Sequence, residues 1–76
     1  MTVWLIDIDR REGESAIRGP FASFSRALKT LEAYVDTHYT PECIASCLKA
    51  YGGNLATGRF CSEDETIQVV EREVIE

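Results

Sequence analysis

Three cysteines, a single histidine and the aspartate pair Asp7 and Asp9 are the side chains through which this chain could do chemistry. Cys43 and Cys47 stand four residues apart, Cys61 follows 14 residues later, and His38 precedes the set, which invites a zinc reading. Structural zinc sites, however, usually take two tight ligand pairs such as C-x2-C, and no loop here turns both thiolates of a pair toward one ion. Two cysteines on successive helical turns also lack the C-x-x-C arrangement at a helix N-terminus that lowers a thiol pKa. An odd number of cysteines fits a reducing compartment better than a disulfide framework. The three are expected to be free thiols that pack as small hydrophobes, with no metal and no cofactor, in a cytoplasmic protein.

Catalytic readings fare no better. Any Ser–His or Cys–His nucleophile pair must use His38, which falls on or beside the apolar stripe of a helix, where a packed histidine is the commoner role. Asp7 and Asp9 share one side of a strand, a spacing that can hold magnesium at a strand end. A solvent-facing polar strand end explains them equally. Gly52-Gly53 and Gly58 match neither a dinucleotide fingerprint nor a phosphate loop, and no lysine follows them in the required place. Arg10, Arg11 and Arg18 form the one local basic group, and Glu12 and Glu14 interleave with it, which disfavours direct nucleic-acid binding. A non-enzymatic role is expected.

Charge is the more informative feature. Residues 1–62 hold seven acids and seven bases, which cancel, whereas residues 63–76 hold Glu63, Asp64, Glu65, Glu71, Glu73 and Glu76 against Arg72 alone. The whole net charge of -5 therefore resides in the last 14 residues. Such an acidic pole repels nucleic acid and attracts a basic surface, although glutamates on a solvated strand also keep a sheet edge from pairing with other chains. If the pole is an interface, Tyr34 and Tyr39 are candidate aromatic anchors beside it.

The elements that must position these residues follow from periodicity. Thr2 to Ile8 alternates as a strand, with Trp4, Ile6 and Ile8 toward a core and Val3, Leu5, Asp7 and Asp9 on the other face. Arg10 to Glu14 reads as a turn, and Ser15 to Arg18 as a short returning strand that ends at Gly19-Pro20. Phe24, Ala27, Leu28, Leu31, Tyr34, Val35 and His38 define the apolar stripe of a helix capped by Ser23. Thr40-Pro41-Glu42 supplies the cap, first-turn proline and first-turn acid of a second helix to about Tyr51, with Ile44, Cys47, Leu48 and Tyr51 inward. Gly52-Gly53 ends it in a left-handed cap. Gly58 to Cys61 and Thr66 to Ile75 read as strands joined by a solvated acidic turn, Ser62 to Glu65. In the last strand Ile67, Val69 and Ile75 have odd parity but Val70 and Val74 even, which a bulge near Val70 or Glu71 would reconcile.

The expected architecture is α+β, ββααββ: one domain over residues 1–76, with an antiparallel sheet of about four strands and two helices on one face. A chain of 76 residues has no room for a second domain or a deep site. Its apolar runs are far shorter than a membrane span needs, and no signal peptide is expected. The second sheet face should stay open, showing Val3 and Leu5.

The hairpin, the segment Gly19-Pro20-Phe21-Ala22-Ser23-Phe24 leading into a helix with Ala27-Leu28, and the ending Val69-Val70-Glu71-Arg72-Glu73-Val74-Ile75-Glu76 resemble the small accessory proteins of bacteriophages and mobile elements. In size, acidity and want of catalytic residues the chain is similar to anti-CRISPR proteins. The resemblance implies a stoichiometric inhibitor that binds a Cas protein or complex, blocking nucleic-acid loading or nuclease recruitment. These proteins share no common site, so no residue role follows from it. The alternative is a homodimeric structural or regulatory module using Val3, Leu5 and the sheet edge.

Overall fold

A computed structural model describes residues 1–75 of the chain. Strand β1 (Thr2–Arg10) turns into β2 (Ala16–Phe21), followed by helices α1 (Phe24–His38) and α2 (Pro41–Tyr51). The chain then forms a two-residue strand β3 (Gly53–Asn54), a 3-10 turn over Leu55–Thr57, β4 (Arg59–Cys61) and β5 (Glu65–Glu73). All ladders are antiparallel, in the order β2-β1-β5-β4-β3. The α+β class and the single helical layer are as expected. The fifth strand, β3, was not foreseen, because two residues carry no periodicity.

Both helix starts follow from their caps. The Ser23 hydroxyl accepts from the Arg26 N–H at 3.2 Å, and the Thr40 hydroxyl accepts from the Cys43 N–H at 3.1 Å. Each satisfies one of the donors that a helix N-terminus leaves free. The inward stripes bury Ala27, Leu31 and Val35 from α1 and Cys47 from α2 against Ile6, Ile8, Phe60 and Ile67 of the sheet. Phe24, His38 and Tyr51 lie outside that core and are exposed, so each apolar stripe is shorter than its periodicity suggests. At the end of α2, Gly52 takes φ 79° with ψ -157°, positive but not the left-handed helical cap expected.

Two strand expectations are corrected. β2 does not stop at Gly19-Pro20 but continues to Phe21, with a register shift between Trp4 and Ile6. It is an edge strand, where proline's missing N–H need not interrupt a ladder. β5 has no bulge near Val70 or Glu71: its nine residues pair with β1 in one unbroken register, Thr2 opposite Glu73 through to Arg10 opposite Glu65. The mixed parity has another cause. Ile67 and Val69 lie on the helix side opposite Ile8 and Ile6, and Val70 lies on the open side opposite Leu5. Glu71 and Glu73 share the helix side but are exposed, because the β1–β5 ribbon runs on past the helical layer in a molecule 43 Å long.

One glycine is required by its surroundings. Gly58 is buried at φ 78° and ψ 38°, and a Cβ there would meet Val69 Cγ2 at 2.9 Å. Its carbonyl accepts from the Val69 N–H at 2.7 Å, so the backbone closes against β5 where a side chain would hold it off.

Candidate functional site

The first residue of β5 is Glu65, whose parity matches Ile67 and so carries its carboxylate under the C-terminal end of α1. Only 7% of it is exposed. Tyr34 donates its hydroxyl to Oε1 at 2.7 Å, and Tyr39, just past α1, donates to Oε2 at 3.2 Å. The turn itself is tied by Ser62, whose hydroxyl oxygen accepts from the backbone N–H groups of Asp64 and Glu65 and lies 3.1 Å from the Tyr39 hydroxyl. Arg10 stands opposite Glu65 in the ladder. The Tyr34 hydroxyl and, less strongly, Glu65 favour its charged form. The Ser62–Glu65 turn is therefore only partly solvated: Glu63 and Asp64 are exposed, while Ser62 and Glu65 are buried.

This network is a lock built from proton donors. Burial pushes the Tyr39 hydroxyl up to about 12 and raises that of Tyr34 as well. Both stay protonated at neutral pH, serve the carboxylate, and are poorly suited to act as bases. Tyr34 is further fixed by stacking on His38, ring centroids 4.2 Å apart, and His38 Nδ1 lies 2.9 Å from the Tyr34 carbonyl. A pH dependence follows from the raised pKa values. The Tyr39 hydroxyl loses its proton near pH 10 in the unfolded chain and only toward 12 in the folded protein, so its stabilisation is complete below pH 10 and disappears as pH rises through about 12, and the raised Tyr34 hydroxyl acts in the same direction. Denaturation measured across that range should show a steep alkaline loss that Tyr39→Phe makes shallower; an unchanged profile in the variant would reject this assignment.

The remaining acids do not form one pole. Glu63 and Asp64 sit beside Arg11 and Glu12 around a shallow cavity of about 410 Å³, where the Arg11 N–H donates to the Asp64 carbonyl at 2.9 Å. Glu71 and Glu73 lie at the opposite end of β5, about 25 Å away at strand rise. Glu73 accepts from the Thr2 hydroxyl at 3.1 Å and lies 3.5 Å from the N-terminal amine. Glu76 lies outside the described residues.

At that far end the sheet brings together residues that sequence reasoning kept apart. Trp4 stands opposite Glu71 on one side and Phe21 on the other, and is half-buried at the edge of the core. Phe24, at the first turn of α1, is 36% exposed. An aromatic group thus borders two exposed carboxylates. The pairing of β1 with β5 creates this neighbourhood, and parity alone gave no sign of it, since it placed Trp4 simply in the core.

The other candidate residues scatter. Cys43 is exposed and Cys47 buried on α2, and Cys61 is half-buried on β4, all three free. Burial, reinforced by the Cys43 thiol, raises the Cys47 pKa. Asp7 and Asp9 lie on the open sheet face, and Asp9 accepts from the Ser15 hydroxyl at 3.1 Å. Among the described residues no cluster of three or more His, Cys, Asp or Glu could hold a metal ion. A groove of about 350 Å³ between α1 and β2 has Ile6 and Ile8 at its floor and Arg18 and His38 at its rim.

These features define an α+β domain with one helical layer, a buried tyrosine–carboxylate lock at one end and an acidic, aromatic ribbon at the other. Comparison with protein-family models, curated proteins and solved structures finds no match for this chain. No helix among the described residues is long and apolar enough to cross a membrane.

Proposed function

We propose that the protein is a non-enzymatic inhibitor that binds a basic surface on a cytoplasmic nucleic-acid-processing protein, as its resemblance to anti-CRISPR proteins implies. The observation that carries this reading is the end of the β1–β5 ribbon, where Trp4 is bordered by the exposed carboxylates Glu71 and Glu73. A half-buried aromatic flanked by charge is the composition of an interface anchor with its rim. The carboxylates steer the encounter with a cationic groove and the ring supplies apolar contact. Glu63 and Asp64, at the other end, act as a second acidic contact. Tyr34, Tyr39 and Glu65 are committed to one another and support the fold beneath these contacts.

The test is a panel of purified Cas nucleases and surveillance complexes with guide RNA, read by DNA binding and cleavage. At least one should be inhibited stoichiometrically. The double variant Glu71→Lys and Glu73→Lys should slow association about tenfold or more at low salt, with the difference shrinking as salt screens it. Thermal melting should be nearly unchanged, since both side chains are solvated. Absence of inhibition by excess protein across the panel would end the proposal; inhibition unaffected by the double variant would move the contact elsewhere.

A further inference from the structure

The groove of about 350 Å³ between α1 and β2 is apolar, although most of the residues that line it are of polar type. Ile6 and Ile8 underlie it, and α1 supplies its wall with Thr30, Ala33, Tyr34 and Thr37. The hydroxyl protons of that wall are spent within the protein. Thr30 donates to the Arg26 carbonyl at 3.0 Å, Thr37 to the Ala33 carbonyl at 2.7 Å, and Tyr34 to Glu65 at 2.7 Å. What the wall offers a ligand is methyl groups and ring carbon, in a volume at the small end of ligand pockets.

Charge enters the lining only through Arg18 and His38. Arg18 is exposed on β2 opposite Ile6, and the one ion pair among the described residues is that of Glu73 with the N-terminal amine. The His38 Nδ1 donates to the Tyr34 carbonyl at 2.9 Å, which leaves Nε2 without an internal partner. The surrounding elements add cations. Arg26 precedes Thr30 by one turn on the same stripe of α1, and Arg10 follows Ile8 on the same side of β1. The acids lie elsewhere or are engaged. Glu32 and Asp36 line a separate cavity beside Leu55, Glu12 lines the one beside Glu63 and Asp64, and Asp7 and Asp9 belong to the other face of the sheet. Glu65 is held by the two tyrosines, and Glu14 lies in the turn beyond Arg10, whose guanidinium donates to its carbonyl at 3.0 Å. A chain of net charge -5 thus carries an apolar groove with a cationic mouth.

We propose that this groove binds a small amphipathic monocarboxylate, its apolar body along Ile6, Ile8 and the α1 wall and its carboxylate on the Arg18 guanidinium. A planar guanidinium takes a carboxylate through two parallel hydrogen bonds, and one permanent cation in the lining balances one negative charge. A neutral molecule with the same body leaves Arg18 unused, and a cationic one is repelled by it.

Octanoate is the probe, read by chemical-shift titration of the isotope-labelled full chain at low salt. It should bind saturably, with the largest shifts at Ile6, Ile8, Arg18, Ala33 and Thr37. Hexanoate, two methylenes shorter, should bind about tenfold more weakly. Octanol should bind about fivefold more weakly than octanoate, the share of an exposed ion pair, and octylammonium more weakly still. Arg18→Gln should bring octanoate to the octanol level and leave octanol unchanged, a split that loss of fold would not give. Ala33→Trp sets a ring into the groove from an exposed helix position and should abolish binding of both, with circular dichroism confirming the fold. Octanoate that never saturates, equal affinity for octanoate and octanol, shifts centred on Val3 and Leu5 of the open face, or binding that survives Ala33→Trp would each overturn the proposal. Acetate binding as tightly as octanoate would reduce the site to a counterion at Arg18 and overturn it as well.

Discussion

Glu65→Ala should lower the unfolding free energy by about 3 kcal/mol, whereas Glu63→Ala and Asp64→Ala in the same turn should stay within about 0.5 kcal/mol of wild type. All three are acids in one run of sequence, and their environments differ. Glu65 is 7% exposed, and its two oxygens take the hydroxyl protons of Tyr34 and Tyr39. Removing the carboxylate strands two half-buried hydroxyl donors and opens a void beneath the end of α1. It also leaves Arg10 without the anion opposite it in the ladder. Hydrogen bonds to an ionised acceptor are the stronger kind, and an unmade buried one costs more than it contributed when made. Urea denaturation of the three single variants measures the difference. Glu65→Gln, which keeps one carbonyl acceptor, should fall between. If Glu65→Ala melted with Glu63→Ala, the lock would be ornamental, and neutralising the whole acidic turn would leave the fold intact. On the present geometry such a triple neutralisation removes a structural residue together with two surface charges, and lost binding by that variant would confound two effects.

The unequal fate of these acids marks where sequence stopped being informative. Helix starts were legible because a cap is local: Ser23 with Arg26 and Thr40 with Cys43 span three residues each. β1 was legible because a period of two places Ile6 and Ile8 together whatever their neighbours are. The burial of Glu65 depends instead on side chains 31 and 26 residues away, delivered by the length of α1 and the bend into α2. No local pattern separates it from Glu63 or Asp64. β5 shows the same limit differently. Its change of parity suggested a bulge, yet the strand is regular, and what changes along it is the cover above. Where helices overlie it the inward residues are Ile67 and Val69; past their end the same face carries Glu71 and Glu73. Alternation reports which face a residue occupies, and the layer above decides whether that face is core. For the same reason Trp4 looked like an ordinary core residue, although the ladder sets it beside Glu71 where the core ends.

Phe60→Ala is expected to be the most damaging apolar truncation, costing about 4 kcal/mol. Phe60 is the largest fully buried side chain, lies on the short strand β4 opposite Ile67, and packs under both helices with Leu31 and Cys47. A core in a chain this short rarely supplies more than about 3 to 5 kcal/mol in total, so the loss is comparable to the whole margin. The ring also meets Tyr39 at 5.0 Å between centroids, and Tyr39 is one of the two donors to Glu65. Truncation therefore removes packing and loosens the lock at once. Phe60→Leu keeps most of the volume and should cost clearly less, about 1 to 2 kcal/mol, enough fold remaining for a quantitative comparison. Combining Phe60→Leu with Glu65→Gln should destabilise by less than the two single effects together, because each already weakens the Tyr39 position the other relies on. Denaturant titration of the four proteins supplies this cycle. Strict additivity would mean that core and lock are independent, and that Tyr39 is held by its own helix end with no help from Phe60.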